Sequence, residues 1–272
     1  TGQTATENLD KNQGTVHDVP NQLGMLSSIS KEAIRIDDED EALEKLIHAC
    51  KIALTPPKGP VSIEIPIDIQ RKKIKRPALL DTISLPHING ELGDTKSLDK
   101  IENYIKSSKR KIIWVGNGAK FATEEVNLFI KMGFAVVTST QGRGVVSETN
   151  KMCLGAFNAV PLIEEFYKTL DLMLVVGSRL RGHETRDMSL ELPKNLVQID
   201  IDPSAKNRTY KTNQFHCGDA KKALAELAKR LDCKIFVENE CINEVSDLKN
   251  RIYIDYKNML GAYKDFPEII RN

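Results

Sequence analysis

The chain has 272 residues, of which 40% are hydrophobic, and this is enough for one large domain or two modest ones. A formal net charge of +1 gives no bulk electrostatic reason to expect a nucleic acid or a membrane as partner. No apolar run approaches the ~20 residues that span a bilayer, and the polar first residues lack the apolar core of a secretory signal.

The cysteines and histidines give no sign of a metal site. The cysteine count is odd and no two cysteines are spaced as Cys-x-x-Cys, which argues against a disulfide framework and a zinc ribbon. The histidines show no ligand spacing such as His-x-x-x-His. We therefore expect reduced thiols in a cytoplasmic protein without a metal. The cysteines are Cys50, Cys153, Cys217, Cys233 and Cys241.

The first part of the chain mixes loops with a helix and a strand. Residues 1–32 are loop-rich. They form either a binding loop or a connecting loop, and their composition favours a connecting loop. Residues 39–54 are predicted to form an amphipathic helix, since apolar residues recur at three and four and acids crowd the first turn. Val61–Pro66 alternates as a strand. The basic, Pro- and Gly-bearing stretch 71–95 has no periodicity and is predicted to be a surface linker between two domains.

From residue 96 onward, short apolar strands alternate with helices. The strands are β-branched and nearly unbroken, as expected for parallel strands buried on both faces. Alternation at this spacing predicts an α/β fold with a doubly wound parallel sheet. Residues 235–272 are polar with a helical tendency, and we expect a connector more than a part of the core. The predicted strands are 111–115, 134–138, 172–176, 196–201 and 214–217, and the predicted helices are 98–106, 119–132, 160–170 and 220–231.

Glycine turns follow several of the predicted strands. Gly116-Asn117-Gly118 follows a strand and opens a helix, where backbone N–H groups and the helix dipole can meet a phosphate. The full Gly-x-Gly-x-x-Gly is absent, because Phe121, predicted on the inner face of the next helix, stands in place of the third glycine. Gly142-Arg143-Gly144 and Gly177-Ser178-Arg179 form two further phosphate-compatible turns.

Charged residues after two of the strands suit a nucleotide. Arg179 or Arg181 could clamp a diphosphate through paired hydrogen bonds, and Asp200 at a strand end could accept ribose hydroxyls. Ligands of open α/β sheets bind outside the carboxyl ends of the strands, so these turns together predict a nucleotide crevice. The alternative, a scaffold whose glycines only make tight turns, stays equally open.

Catalytic groups are harder to find. His183, Glu184 and Asp187 lie close together in sequence, and so do His17 and Asp18. A polar loop contains such residues by chance, and neither set forms a convincing acid–base pair.

A series of motifs runs along nearly the whole chain. The motifs are His17–Gln22, Ser30-Lys31, Gly59–Asp68, Val115–Gly118, Thr140–Gly144, Leu154–Asn158, Asp171–Arg179, Gln198–Pro203 and Gly218–Ala220. No one of them is specific, but in this order they resemble the thiamine diphosphate-dependent enzymes of the acetolactate synthase, benzoylformate decarboxylase and pyruvate oxidase type.

The resemblance implies a division of the chain. Enzymes of this family contain a pyrimidine-binding domain, a central domain and a diphosphate-binding domain. Residues 1–70 resemble the C-terminal part of the first and residues 96–234 the Rossmann-like central domain, with 71–95 as the linker. Residues 235–272 resemble a connector toward the third domain. The implied fold is a doubly wound α/β sheet preceded by a partial α/β domain.

The resemblance also implies thiamine diphosphate and Mg²⁺ as cofactors of the complete enzyme. The family's activating glutamate and its Gly-Asp-Gly…Asn metal and diphosphate motif match no residues of this sequence, so we expect the 272-residue chain alone to be inactive. His17 and Gln22 resemble the active-site-facing part of the first domain and are the candidates on the catalytic side.

Acetolactate synthase-like members bind FAD in the central domain. This chain departs from their pattern at Ala156-Phe157-Asn158, where they carry Met-His-Gly, and at Leu180–His183, where they carry Phe-Asp-Asp-Arg. The resemblance therefore allows FAD without favouring it. The positions that match the flavin-contacting loops are Gly116, Gly118, Thr140, Gly155, Gly177, Arg179, Asp200 and Asp219.

Three functions follow as hypotheses. The first is part of a thiamine diphosphate-dependent 2-oxo acid decarboxylase or carboligase, a family that usually forms dimers or tetramers. The second is a module that binds FAD or another adenine nucleotide, and the third is a structural domain without a ligand. The implied partners are a small 2-oxo acid and further copies of the chain, with neither a nucleic acid nor a membrane.

Overall fold

A computed structural model describes residues 1–84, 88–231 and 239–266. The chain divides into two compact units, Thr1–Asn89 and Gly90–Asn272. The division falls within the predicted linker, and the assignment of the units to family domains stays a prediction. None of the described helices is long and apolar enough to cross a membrane.

The first unit is built on parallel strands, and the central one coincides closely with the predicted strand. Its elements are, in chain order, β1 (Gly2–Gln3), α1 (Gln22–Ile29), β2 (Ala33–Arg35), α2 (Ala42–Leu54), β3 (Ser62–Pro66) and α3 (Ile67–Arg71). The strand order is β1-β3-β2. The predicted helix over residues 39–54 is α2, which begins slightly later than expected.

The expectation of a loop-rich segment over residues 1–32 misses α1. Asn21 begins this helix, and its side chain accepts a hydrogen bond from Gly24 N (3.0 Å). The buried residue of α1 is Gln22, while Met25 and Ile29 are exposed. The helix therefore has no apolar stripe from which periodicity could predict it, and the Asn cap was the available signal.

The second unit contains a five-stranded parallel sheet in the order β5-β4-β6-β7-β8. The strands are β4 (Lys111–Val115), β5 (Phe134–Thr138), β6 (Leu172–Val176), β7 (Asn195–Asp200) and β8 (Gln214–Cys217). They coincide with the predicted strands, except that β7 begins and ends one residue earlier. Every side chain of β6 is fully buried, which explains its unbroken apolar sequence.

The sheet is doubly wound. β5 and β6 lie on opposite sides of β4, so the strand order reverses there, and right-handed crossovers place their helices on opposite faces. α4 (Thr95–Ser107) and α5 (Thr123–Lys131) both contact α7 (Ala220–Arg230), while α6 (Pro161–Lys168) contacts α8 (Asn239–Leu260). The predicted α/β fold with a parallel sheet is confirmed.

α8 belongs to the core of the second unit. Val245, Leu248 and Ile252 are 0%, 8% and 4% exposed and are part of its apolar cluster. The expectation that residues 235–272 add little to the core is therefore wrong for this helix. Its buried residues recur at three and four positions, and such a stripe buries one face of a mostly polar helix. Both ends of the predicted connector lie outside the described residues.

The predicted helix over residues 119–132 begins later than expected. A 3₁₀ turn, Asn117–Ala119, follows β4, and α5 starts after Phe121. Phe121 is 72% exposed, so its predicted place on the inner face is wrong. Val126 and Phe129 of α5 are fully buried, as predicted.

Candidate functional site

The predicted crevice lies at the carboxyl edge of the second sheet. β4 and β6 are paired in register, with Val115 opposite Val176, so the turns after them begin side by side. Because the strand order reverses at β4, this edge is the switch point at which doubly wound sheets bind ligands.

The two glycine turns at this edge are packed backbone to backbone. Gly116 N donates to Val176 O (2.9 Å), and Gly118 N donates to Gly177 O (2.9 Å). A Cβ built on Gly116 would lie 2.2 Å from Gly177 O, and one built on Gly177, whose φ is +58°, would lie 2.5 Å from Gly118 Cα. The close approach requires glycine, and the N–H groups of Gly116 and Gly118 are already engaged.

The turn after β5 is closed by a carboxylate from the loop after β6. Thr140 N donates to Glu184 Oε1 (2.7 Å), and the Glu184 side chain is only 5% exposed. In the same turn, Ser139 Oγ accepts from Gly142 N (2.9 Å). The backbone donor of Thr140 is therefore occupied by an anion of the chain itself.

Gly155 lies beside the end of β5. Its carbonyl accepts from Thr138 N (2.9 Å), and its φ is +70°. A Cβ built on Gly155 would meet no atom closer than 3.8 Å, so the left-handed backbone, and not a lack of space, favours glycine there. Asn158, further along this loop, is buried, and its Oδ1 has no hydrogen-bond partner among the described residues.

Arg179 and Asp200 are linked through Asp202. Arg179 Nη2 lies 3.5 Å from Asp202 Oδ2, and Asp202 N donates to Asp200 Oδ1 (2.9 Å). Burial raises the pKa of Asp200, whereas hydrogen bonds from Ser204 lower the pKa of Asp202. Asp202 is thus the better anionic partner for the guanidinium, and Asp200 is the acid whose charge burial disfavours.

Asp219 makes two structural hydrogen bonds at the far edge of the sheet. Its side chain accepts from Lys222 N (3.0 Å) and caps α7, and its own N–H donates to Glu91 O (2.7 Å). The nearby His216 is fully buried and holds the same incoming segment, with Nε2 2.6 Å from Leu92 O. Asp219 therefore helps to fix the start of the second unit to β8.

The predicted site residues are spread along the carboxyl edge of the sheet. The glycines that follow β4 and β6 are in direct contact with each other. Arg179 and Asp200 lie toward β7, Gly155 lies beside β5, and Asp219 follows β8. The structure thus brings together part of the set at the switch point, and the ligand contacts of all eight residues stay predictions.

Glu184 is a buried acid that the sequence offers only as one of three neighbouring polar residues. The sequence places it beside His183 and Asp187, but both of these side chains are exposed. His183 Nε2 lies 3.8 Å from Glu184 Oε1, which is too long for a hydrogen bond. No periodicity marks Glu184, because its partner Thr140 lies in a different loop.

Gln22 and His17 of the first unit have different surroundings. Gln22 is 7% exposed, and its Nε2 donates to Glu64 Oε2 (3.0 Å) and Gly2 O (3.1 Å). Glu64 is fully buried and also accepts from Arg35 Nε. His17 is exposed and has a left-handed backbone with φ +68°. Gln22 is therefore anchored inside its unit, whereas His17 lies at the surface.

Possible metal ligands are not clustered in the described part of the chain. Across residues 1–84, 88–231 and 239–266, no group of three or more His, Cys, Asp or Glu side chains is arranged to hold a metal ion. Cys50, Cys153 and Cys217 carry free thiols, and Cys233 lies outside the described residues.

Comparison with known proteins identifies the central domain. The family model described as the central domain of thiamine pyrophosphate enzymes matches residues 98–227, which lie in the second unit between α4 and α7. Residues 98–227 are therefore a central domain of the thiamine pyrophosphate enzyme type. The family predicted from the motifs is thereby confirmed.

Relatives in this family are acetolactate synthases. A probable acetolactate synthase large subunit of Methanococcus aeolicus is 27% identical over 237 residues, covering 84% of this chain and 39% of the relative. The acetolactate synthase large subunit of Corynebacterium glutamicum is 24% identical over 258 residues, covering 90% of this chain and 38% of the relative. The chain thus spans about two fifths of the length of these curated relatives.

A solved structure shares the fold. The X-ray structure of a protein from Mycobacterium smegmatis, described as a thiamin diphosphate-dependent enzyme, matches with a TM-score of 0.66 and 21% identity. The match covers 85% of this chain and 44% of that chain. At this identity the likeness establishes the fold alone.

Proposed function

We propose that the protein acts in a thiamine diphosphate-dependent decarboxylase or carboligase of the acetolactate synthase type, as the part that contains the central domain. This proposal rests on how much of the chain is matched by its relatives. Acetolactate synthase large subunits match 84% and 90% of the chain, which includes much of the first unit as well as the central domain. A central domain shared alone would favour the fold without the activity.

The residues of this chain would act by positioning the substrate and by supporting the loop that contacts it. Thiamine diphosphate, when bound, supplies the carbanion-stabilising chemistry that a 2-oxo acid requires. We propose His17 as the contact to substrate, because it is exposed on a left-handed loop. Gln22 would support that loop from within, since its amide is bonded to Glu64. Mg²⁺ is proposed as the ion that accompanies the cofactor diphosphate, and we assign it no ligand in this chain.

The proposed substrate is a small 2-oxo acid, and the proposed assembly is a homodimer or homotetramer. The relatives are named as large subunits, which supports an assembly of several chains. A cytoplasmic location is proposed from the cysteine pattern alone.

An activity assay tests the proposed function. The 272-residue chain and the complete gene product that contains it are each assayed with Mg²⁺ and a panel of pyruvate, 2-oxobutyrate and benzoylformate. We expect the gene product to release CO₂ only when thiamine diphosphate is added, and the 272-residue chain to release none. A gene product that binds thiamine diphosphate yet turns over no 2-oxo acid would overturn the proposed activity.

A structural role for the central unit is the second candidate function. The backbone donors of Gly116, Gly118 and Thr140 are engaged within the chain, which favours a scaffold over a nucleotide-binding module. These residues do not fit a flavin, because its diphosphate would need donors of this kind. We therefore assign no step to FAD. A yellow gene product with a stoichiometric flavin would contradict this assignment.

A further inference from the structure

We propose that Glu184 acts as a latch, by which we mean its hydrogen bond with Thr140 N. This bond closes the predicted crevice at the end of β4 to ligands that carry a diphosphate, such as FAD and ADP. The inference concerns the second unit alone and does not depend on the thiamine-dependent activity proposed above. It rests on the path of two loops, on the hydrogen bonds that hold them and on the charge that Glu184 carries.

The latch spans the strand at which the sheet order reverses. Thr140 follows β5 and Glu184 follows β6, and these two strands lie on either side of β4. The hydrogen bond from Thr140 N to Glu184 Oε1 (2.7 Å) therefore joins the two loops across the end of β4, where the turn at Gly116 begins. Hydrogen bonds to an ionised acceptor are the stronger kind, and the 5% exposure of the Glu184 side chain keeps water away from this one.

The loop after β6 is folded so that it carries Glu184 inward. Leu180, Arg186, Asp187 and Met188 have left-handed backbones, with φ values of +47°, +48°, +53° and +68°. Residues other than glycine adopt this conformation at a cost, and they do so where the surrounding structure enforces it. Such a run on both sides of Glu184 indicates a loop built for one shape.

Hydrogen bonds and an ion pair enforce that shape. Asp187 N donates to Gly182 O (2.8 Å) and closes the loop on itself. Arg186 forms an ion pair with Glu164 of α6, and Glu191 N donates to the same carboxylate (3.1 Å). The loop is thus tied to the body of the unit by its own residues, so Glu184 is held in place without a ligand.

Three glycine N–H groups of the turns at this edge already have acceptors within the chain. Gly116 N donates to Val176 O (2.9 Å), Gly118 N to Gly177 O (2.9 Å) and Gly177 N to Ile199 O (2.8 Å). Phosphate sites at such turns depend on backbone N–H groups that point at the ligand. A diphosphate could use these three glycine donors, or Thr140 N, only by breaking the bonds that they make within the chain.

The charges around the latch also disfavour a second anion. The Glu184 carboxylate itself sits on the Thr140 N–H, and a phosphate beside a buried carboxylate would be repelled more strongly than in water. Arg179, one of the two arginines predicted to clamp a diphosphate, lies 3.5 Å from Asp202 instead. This one of the two cations is therefore directed to an acid of the chain.

Ligand titration and amide hydrogen exchange of the purified gene product test the latch. FAD and ADP are titrated by calorimetry up to about 1 mM, which would reveal even a weak site. We expect no saturable binding of either ligand to the unaltered protein. In Glu184→Ala, exchange of the Thr140 amide should accelerate by about tenfold or more, because the amide loses a charged acceptor. Glu184→Gln keeps an acceptor oxygen and should keep most of the protection.

A matched variant controls for changes elsewhere in the loop. The Glu191 side chain is 72% exposed, and Glu191→Ala should alter neither ligand binding nor exchange at Thr140. One-to-one binding of FAD or ADP by the unaltered protein would overturn the exclusion, and an unchanged Thr140 amide in Glu184→Ala would overturn the latch. If Glu184→Ala does not fold, Glu184→Gln decides: protection close to that of the unaltered protein supports the acceptor role, and complete loss contradicts it.

Discussion

Gln22 Nε2 lies 3.0 Å from Glu64 Oε2, and both side chains are buried in the first unit. The other carboxylate oxygen of Glu64 accepts from Arg35 Nε, and Arg35 Nη1 is held in turn by Asp10 (2.8 Å). A buried carboxylate is tolerated only when such partners surround it. The amide of Gln22 is therefore a structural partner, although the family resemblance places this residue on the catalytic side.

Replacing Gln22 should cost stability. Gln22→Ala removes a hydrogen bond from a buried carboxylate, and we expect the free energy of unfolding to fall by about 1–3 kcal/mol. Denaturant unfolding of the gene product measures it. His17→Asn is the control, because the site is exposed and Asn tolerates a left-handed backbone. This variant should change the free energy of unfolding by no more than about 0.5 kcal/mol. If Gln22 acted on substrate instead, Gln22→Ala would lower turnover and leave unfolding unchanged.

Gly177 is the glycine on which the switch point depends. Its φ is +58°, and a Cβ built on it would lie 2.5 Å from Gly118 Cα. Gly177→Ala therefore combines backbone strain of about 1 kcal/mol with overpacking of about 1–3 kcal/mol. We expect a loss of unfolding free energy of about 2–4 kcal/mol, measured by urea denaturation.

Gly144 provides the comparison for Gly177. Its φ is +87°, but a Cβ built on it would meet no atom within 4 Å. Gly144→Ala should therefore cost the backbone strain alone, about 1 kcal/mol. Equal losses for the two variants would show that the contact between the glycine turns contributes nothing to stability.

The strands of the second sheet were predictable because their burial produces a pattern in the residues of each strand itself. Leu172–Val176 is covered on both faces, and this requires an unbroken apolar run with turn formers at its ends. Gly116 and Gly177 were predictable as tight turns for a similar reason, since only glycine lets two backbones approach this closely. The family followed from the order of the motifs and not from any one of them.

A contact between two distant loops produces no such pattern in the sequence of either loop. Thr140 and Glu184 are 44 positions apart, and neither belongs to a periodic element. Whether a backbone N–H is available to a ligand or occupied by a side chain does not appear in composition or spacing. This availability separates a nucleotide crevice from a scaffold, and the sequence therefore left the two alternatives open.

The place of α8 in the core gives a prediction on stability. Ile252 is 4% exposed and lies in the apolar cluster, whereas Ile254, on the same helix, is 56% exposed. Ile252→Ala should lower the free energy of unfolding by about 2–5 kcal/mol, because it leaves a cavity. Ile254→Ala should change it by no more than about 0.5 kcal/mol. If both variants unfold like the unaltered protein, α8 is a connector after all.

His216 should make the stability of the second unit depend on pH. The ring is fully buried, with Nδ1 2.6 Å from Ser97 Oγ and Nε2 2.6 Å from Leu92 O. Burial lowers its pKa, although the charge of Asp94 acts in the opposite direction and that of Arg230 acts with burial. A neutral ring satisfies both bonds, since Nε2–H donates to the carbonyl and Nδ1 accepts from the hydroxyl.

The sign of the effect follows from proton binding. Below the usual histidine pKa of about 6.5, the unfolded chain takes up a proton at His216 before the folded protein does, so unfolding is favoured as the pH falls. Urea denaturation between about pH 7.5 and pH 5.5 should therefore show a falling free energy of unfolding, with a smaller slope in His216→Gln. His183→Gln, at a 61% exposed site in the same unit, should keep the slope of the unaltered protein. A slope that survives unchanged in His216→Gln would show that other groups carry the pH dependence.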